Sequence, residues 1–308
     1  MINDQGFHTG ELEMQRRAGV TAEAARLEGM VAPAELGRGV AAFLAGRTFA
    51  ALTARDDSGR LWIGPLTGPP GFLEVTSPTD LEIHSVPTTG DPLYSLPAGQ
   101  RVGLVVIDFA ARRRLRINGV LTSADQRHLV VQVEQAFGNC PQYIQQRVLE
   151  PTNRDRADAA EPRRGTALLP QDVELIRGAD TFFLGTSHPE RGSDASHRGG
   201  APGFVRIDGG RLWWPDYAGN NMFNSFGNLA VSPASALLFT DFTAGHVLHL
   251  SGTTEIDWVP PGRPGDDGGT GRRACFTLQQ LVARDDLPAR QTDHRAYPRN
   301  PAVTVTRG

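Results

Sequence analysis

The chain repeats itself at a fixed spacing. The segment 47–53, RTFAALT, aligns with 180–186, DTFFLGT. GPPGFL at 68–73 aligns with GAPGFV at 200–205, and GLVVID at 103–108 with ALLFTD at 236–241. LRING at 115–119 aligns with LHLSG at 248–252. The offset is 132 or 133 residues in every case. A period this long is no solenoid unit and suits a duplicated domain. The expected division is an N-terminal helical arm (1–33), copy one (34–149), a linker (150–165) and copy two (166–308).

Each copy reads as β. Short apolar or alternating runs at 49–53, 71–75, 81–85, 102–107 and 115–121 are bounded by Gly, Pro, Asp or Asn. The second copy repeats the plan at 181–185, 203–207, 211–214, 236–240 and 247–256. The 35 glycines and 22 prolines supply the turns that many short strands need. Five or so antiparallel strands per copy argue for a small barrel. Helices are expected at 11–26, at 34–45 before copy one and at 171–179 before copy two. The stretches 150–164 and 260–273 are polar, Gly- or Pro-rich, and read as a linker and a mobile or disordered loop. Residues 275–281 would add a final strand.

Charge and cysteine content narrow the function. A formal net charge of −3 gives no reason to expect nucleic acid or an anionic membrane surface. Lysine is absent and all 31 basic residues are Arg, so any fixed cation that grips a phosphate is Arg or protonated His. Two distant cysteines, Cys140 and Cys275, make no metal or disulfide pattern, which fits a reducing, cytoplasmic setting. The first residues carry no signal-peptide pattern, and no run is apolar enough to span a membrane. No catalytic triad order, HExxH or P-loop is present.

Four segments concentrate polar chemistry. In 196–205, SHRGGAPGFV, a cationic loop runs through glycines into a strand, where backbone N–H groups can approach a ligand and Arg198 can clamp a phosphate. A tight turn with an exposed Arg is the plain alternative. In 214–229, four asparagines and several aromatics follow a strand; Asn amides suit a ring edge that both donates and accepts, and equally suit turns and caps. In 112–119, Arg114, Arg116 and Asn118 share one face of an alternating strand, either solvated or facing a ligand. In 137–144, a lone Cys140 precedes a proline and reads as structural.

These segments, SHRGGAPGF, PDYAGNNMFNSFGN, RLRINGVL and GNCPQYIQQR, resemble the pyridoxamine 5′-phosphate oxidase-like, FMN-binding split-barrel family. With the N-terminal FHTGE and RAGV, the chain is similar to a two-copy branch of it, over about residues 7–290. The resemblance implies two tandem split β-barrels with a few short helices, mainly β, and FMN at the interface of the pair, which tandem copies would form within one chain. It implies a flavoprotein oxidoreductase, or a non-catalytic flavin, F420 or haem carrier working with a separate reductase. FAD or F420 stand as alternative cofactors, NAD(P)H as an electron donor, and a homodimer of chains as a further assembly. It assigns Ser196, His197, Arg198, Gly203, Phe204, Val205, Asp216, Asn220, Asn221 and Asn224 to the cofactor. Arg114, Arg116, Asn118 and Gln142 of copy one would face it from the other side. Arg198 would bind phosphate with Asn220 and Asn221 assisting, and backbone N–H groups at 203–205 would meet the ring.

The sequence also departs from the family pattern. In copy one the matching loop, GDPLYS at 90–95, lacks the asparagines and gains Asp91, which repels phosphate. One competent site is therefore expected. Met222 stands where many relatives carry a cation. The lysine contacts of true pyridoxamine phosphate oxidases are absent, and no cysteine set or reductase module follows.

Overall fold

The structure is a computed structural model that describes residues 6–152, 161–260, 262–263 and 266–303. The expected linker lies partly outside them. The chain is mainly β, with a few short helices. The first sheet is built from β1 (Phe49–Arg55), β2 (Leu61–Thr67), β3 (Leu73–Val75), β4 (Asp80–Ile83), β5 (Arg101–Asp108), β6 (Arg113–Ala124) and β7 (Leu129–Gly138). After β8 (Gln146–Pro151) and β9 (Arg163–Gly165), the second sheet uses β10 (Thr181–His188), β11 (Gly192–Gly199), β12 (Arg206–Asp208), β13 (Arg211–Pro215), β14 (Ala234–Thr240), β15 (Val247–Trp258) and β16 (Arg272–Arg284). β17 (Ala289–Arg295) returns to pair with β8.

The two sheets have the same strand order. It is β2-β1-β5-β6-β7-β4-β3 in the first and β11-β10-β14-β15-β16-β13-β12 in the second. Both are open paths of seven strands, with no pairing between their end strands among the described residues, so the closed small barrel expected from strand spacing does not form. The correspondence extends to irregularities. The register slips between Asn118 and Gly119 in β6 and between Ser251 and Gly252 in β15. A Cβ on Gly119 would lie 2.1 Å from the Gln132 carbonyl oxygen, and one on Gly252 2.1 Å from that of Thr277, so both bulges require glycine.

Strand alternation divides the core. Ala50, Leu52 and Ala54 of β1 and Leu104 and Val106 of β5 fill the interior of the first sheet. Their neighbours Phe49, Ala51, Val105 and Ile107 point the other way and pack on Phe183, Ala195, Ala236 and Leu238 of the second sheet. These strands are therefore buried on both faces, which is why their sequences are nearly unbroken apolar runs. Strand β2 meets β14 and β15, as β11 meets β5 and β6. That reciprocity is what a local twofold axis produces.

The first two expected helices are shorter than their sequence signals suggested, and the third has the expected length. The run 11–26 splits at Gly19, which takes a left-handed φ of 71°, into α1 (Thr9–Ala18) and α2 (Thr21–Ala25). α3 (Arg38–Ala45) and α4 (Pro170–Gly178) precede the two sheets. α5 (Asn224–Val231) was not anticipated; it packs against α1. The expected strand at 203–207 is a turn followed by β12, and the expected loop 196–199 is instead the end of β11.

Candidate functional site

A cleft opens where the two sheets meet, enclosing about 860 Å³ of empty space, mouth included. The enclosed part alone holds about 100 Å³, below the ~300–1,000 Å³ of typical preformed small-molecule sites. Each wall has a structural cause. On β6, Leu115 and Ile117 point into the first core, so Arg114 and Arg116 must face the second sheet. On β11, His197 and Arg198 pair with Phe183 and Phe182 of β10 and end at the cleft. The turn after β7 brings Asn139, Cys140, Gln142 and Tyr143. The end of β13 and the following loop bring Trp214, Asp216, Tyr217, Asn220 and Asn221, and the first turn of α5 brings Asn224, Ser225 and Phe226.

The cleft is rich in cations. Arg116 donates to Asp194 at 3.0 Å, and Asp194 also accepts from Ser225 Oγ at 3.0 Å. Arg198 lies 3.7 Å from Asp216, whose other oxygen accepts from Arg272 Nε at 2.9 Å. Among the described residues Arg114 has no carboxylate partner; it donates to His197 Nδ1 at 2.9 Å. Four arginines thus face two carboxylates, an excess of two positive charges in a largely dry setting.

Burial, then repulsion from Arg116 and Arg198, pushes Arg114 down to about 9. Burial also lowers Arg198, with Asp216 opposing. His197 is held well below its ordinary value by burial and by Arg114, Arg147, Arg198 and Arg116, so it is neutral. Since Nδ1 accepts from Arg114, the ring proton sits on Nε2.

Several buried donors around the cleft have no protein partner among the described residues. They are Arg114 Nε, Arg116 Nε, Arg198 Nε, His197 Nε2, Asn139 Nδ2 and Trp214 Nε1. Unmet donors of this kind are costly in isolation and are satisfied by an anion or a polar ligand. The N-terminus of α5, capped by no side chain, adds backbone N–H groups at the same wall. A phosphate-bearing group fits this donor set.

The structure brings together Arg114, Arg116, Gln142, His197, Arg198, Phe204, Asp216, Asn220, Asn221 and Asn224. Ser196 lies just behind the wall, bonded to Ser225. Gly203 and Val205 lie outside the lining, Gly203 in a turn at φ 88° and Val205 in the second core. Asn118 lies one cavity over, donating to Gln135. Met222 is fully buried, with its sulfur accepting from Asn220, and lies outside the cleft lining. Arg272, Asp194 and Ser225 were not anticipated. Arg272 follows a Gly-rich loop and carried no sequence signal beyond its charge.

The pseudosymmetric position is reduced to a small pocket of about 10 Å³. Equivalent pairings place Val247 and His249 where the cleft has Arg114 and Arg116, and Pro65 and Leu66 where it has His197 and Arg198. Arg284 fills the space, donating to Asp91 at 2.7 Å and pairing with Thr88 and Asp286. Asp91 is also 3.5 Å from His249 Nε2. Asp91, from the loop after the first sheet's β4, thus pairs with an arginine of the second sheet.

No protein-family model matches the chain, and no curated protein does. Solved structures similar to it include a pyridoxinephosphate oxidase family protein from Clostridium acetobutylicum, related to general stress protein 26, at 16% identity (TM-score 0.28, covering 40% of this chain and 92% of that one). A FAD-binding protein from Mesorhizobium loti aligns at 10% identity (TM-score 0.29, 41% and 98%). The haem storage protein of Vibrio cholerae aligns at 14% identity (TM-score 0.28, 38% and 95%). Each aligns over about two-fifths of this chain.

Proposed function

We propose that the chain is a flavoprotein that binds FMN in the cleft between its two sheets and acts as an oxidoreductase. The observation that carries this reading is the set of three arginines, Arg116 buried and Arg114 and Arg198 half-buried, each with a buried, unpartnered Nε and together in charge excess. A phosphate dianion would balance that excess and satisfy those donors. Arg198 and Arg114 would hold it from opposite sheets, with the N-terminus of α5 behind it. Trp214, Phe204 and Phe226 would exclude water from the ring side, and Asn220, Asn221 and Gln142 would pair with its polar edge. His197, neutral and protonated on Nε2, would donate a hydrogen bond without adding charge. When bound, the flavin supplies the redox chemistry; the protein supplies position and electrostatics.

On this reading the chain is a tandem duplication whose second copy grips the cofactor and whose first completes the pocket. Electrons would come from NAD(P)H or a separate reductase. Both cysteines are free, in accord with a reducing, cytoplasmic setting.

The test is titration of the purified, flavin-free protein with FMN and with riboflavin. FMN should bind far more tightly, and Arg198→Ala should weaken FMN about 10–100-fold, the worth of ~1.5–3 kcal/mol for a charge-assisted bond. Equal affinity for the two flavins, or unchanged FMN affinity in Arg198→Ala, would overturn the phosphate assignment. Failure of NAD(P)H and of added reductase to bleach bound FMN would favour the carrier alternative over catalysis.

A further inference from the structure

A second constellation lies outside the cleft, at the edge of the first sheet. Glu82 on β4, His84 just beyond it and His128 at the head of β7 present ligand atoms within 4.8 Å of one another. Strand pairing explains the grouping. Ile83 lies opposite Leu129, so the residues flanking that pair, His84 and His128, also meet across the strands. Their rings stand edge to face, with centroids 5.1 Å apart. Glu74 on β3 lies opposite Glu82. The backbone at both histidines is anchored: His84 N–H donates to the Phe72 carbonyl at 2.8 Å, and His128 N–H to Asp125 at 2.7 Å.

We propose that His84, His128 and Glu82 bind a zinc-like divalent cation, with Glu74 as the residue that orients His84. Glu74 Oε2 sits 2.8 Å from His84 Nε2. A carboxylate there keeps the ring proton on Nε2 and turns the Nδ1 lone pair toward Glu82 Oε1, 3.7 Å away. This is the carboxylate–histidine–metal arrangement that sets tautomer and ring angle in zinc sites. Tetrahedral bonds of ~2.0–2.2 Å place ligand atoms about 3.3–3.5 Å apart, so small rotations of these partly exposed side chains close the set. Two imidazoles with one carboxylate favour zinc over magnesium or calcium, which take oxygen ligands. Water would fill the fourth position. Asp125, with Oδ2 3.9 Å from His128 Nδ1, adds a further negative charge nearby.

The site belongs to this chain's first copy and is not a generic consequence of the strand order. The corresponding row of the second sheet pairs Arg206 with Trp213, ring and cation stacked at 4.6 Å. No residue of the proposed site lines the cleft, so the inference is independent of the flavin reading.

The experiment is calorimetric titration of the chelator-treated full chain with Zn²⁺, repeated with Co²⁺ and read by visible absorption. One equivalent should bind with the intense bands of four-coordinate Co²⁺, and Zn²⁺ should raise the melting temperature because the ion ties β3, β4 and β7 together. Glu74→Gln should weaken binding about 10–100-fold while keeping the stoichiometry. His84→Ala and His128→Ala, both at the surface and neutral to folding, should weaken it further and remove the bands. Zinc affinity within about twofold of the parent in the double His84→Ala/His128→Ala variant would assign binding to other histidines and overturn the site. Unchanged affinity in Glu74→Gln would overturn the orienting role.

Discussion

Arg116 of the first sheet donates from one nitrogen to both carboxylate oxygens of Asp194 in the second, at 3.0 and 3.2 Å, and both side chains are buried. This pair ties the two units together at the wall of the cleft. It also sits in an asymmetric field, since Arg114 and Arg198 crowd Arg116 while, among the described residues, Asp194 and Asp216 are the carboxylates paired to these arginines and Arg272. Removing one partner of a buried ion pair costs about 3–5 kcal/mol. The loss in Asp194→Ala should reach that range, because it leaves an uncompensated cation among others. Arg116→Met should cost less, because it also relieves repulsion and leaves Asp194 its bond from Ser225. Urea unfolding of the two variants gives the order.

Phosphate alone should stabilise the protein. If the unpartnered arginine donors form an anion site, inorganic phosphate at 100 times its dissociation constant adds ~2.7 kcal/mol, and each kcal/mol raises Tm by about 2–4 °C in a domain of this size. The double variant Arg114→Gln/Arg198→Gln should lose the rise. Differential scanning fluorimetry with phosphate and with chloride at equal ionic strength separates specific binding from screening.

Stoichiometry follows from the reduced second position. FMN should saturate at one per chain, since Arg284, Asp91 and Asp286 occupy the equivalent space. Absorbance of the gel-filtered complex against protein concentration measures it, and two flavins per chain would contradict the asymmetry.

The N-terminal arm carries two opposed pH dependences. His8 caps α1: its Nδ1 accepts from Gly10 N–H while Glu11 accepts from His8 N–H, a capping box. Burial, then His188, lowers His8 to about 4, and burial raises Glu11 to about 7. Between pH 4 and 6.5 the unfolded chain binds more protons at His8, so that group makes stability rise with pH. Between pH 4.5 and 7 the folded chain binds more protons at Glu11, so that group makes stability fall with pH. Each contribution is of order 3 kcal/mol, and they largely cancel. Glu11→Gln should therefore expose a rise from pH 4 to 6.5, and His8→Asn a fall from pH 4.5 to 7. Urea midpoints across that range, compared with the flatter parent profile, check both signs.

α1 crosses α5 at two glycines. A Cβ on Gly10 would lie 2.1 Å from the Gly227 carbonyl oxygen, and one on Gly227 2.5 Å from Glu11 Cγ. Gly10→Ala should cost about 1–3 kcal/mol as overpacking and loosen the arm. The readout is faster limited proteolysis near residue 20 with the sheets left intact.

Much of the architecture was written in local patterns. The alternation of Leu115 and Ile117 with Arg114 and Arg116 assigned the faces of β6 correctly, because a strand's period of two admits no other division once one face is apolar. Strand β11 was missed for the opposite reason. GSDASHRG has no apolar face, since its polar groups are buried against partners far off in the chain: Asp194 against Arg116, Ser196 against Ser225, His197 against Arg114. α5 was missed because its asparagines and glycine read as turn formers, and only packing on α1 and β10 makes that stretch helical.

By itself, the sequence determined the repeat of its motifs at a spacing of 132 or 133 residues, the strand-rich plan and the residue types available to hold an anion. Those are local or periodic properties, readable without knowing who touches whom. The family resemblance already put Arg114 and Arg198, 84 positions apart, at one cofactor; tertiary structure alone decided that Arg272 joins them and that Arg284 sits at the matching place in the other half. Charge balance inside a buried site is a sum over neighbours in space, and chain order does not carry it.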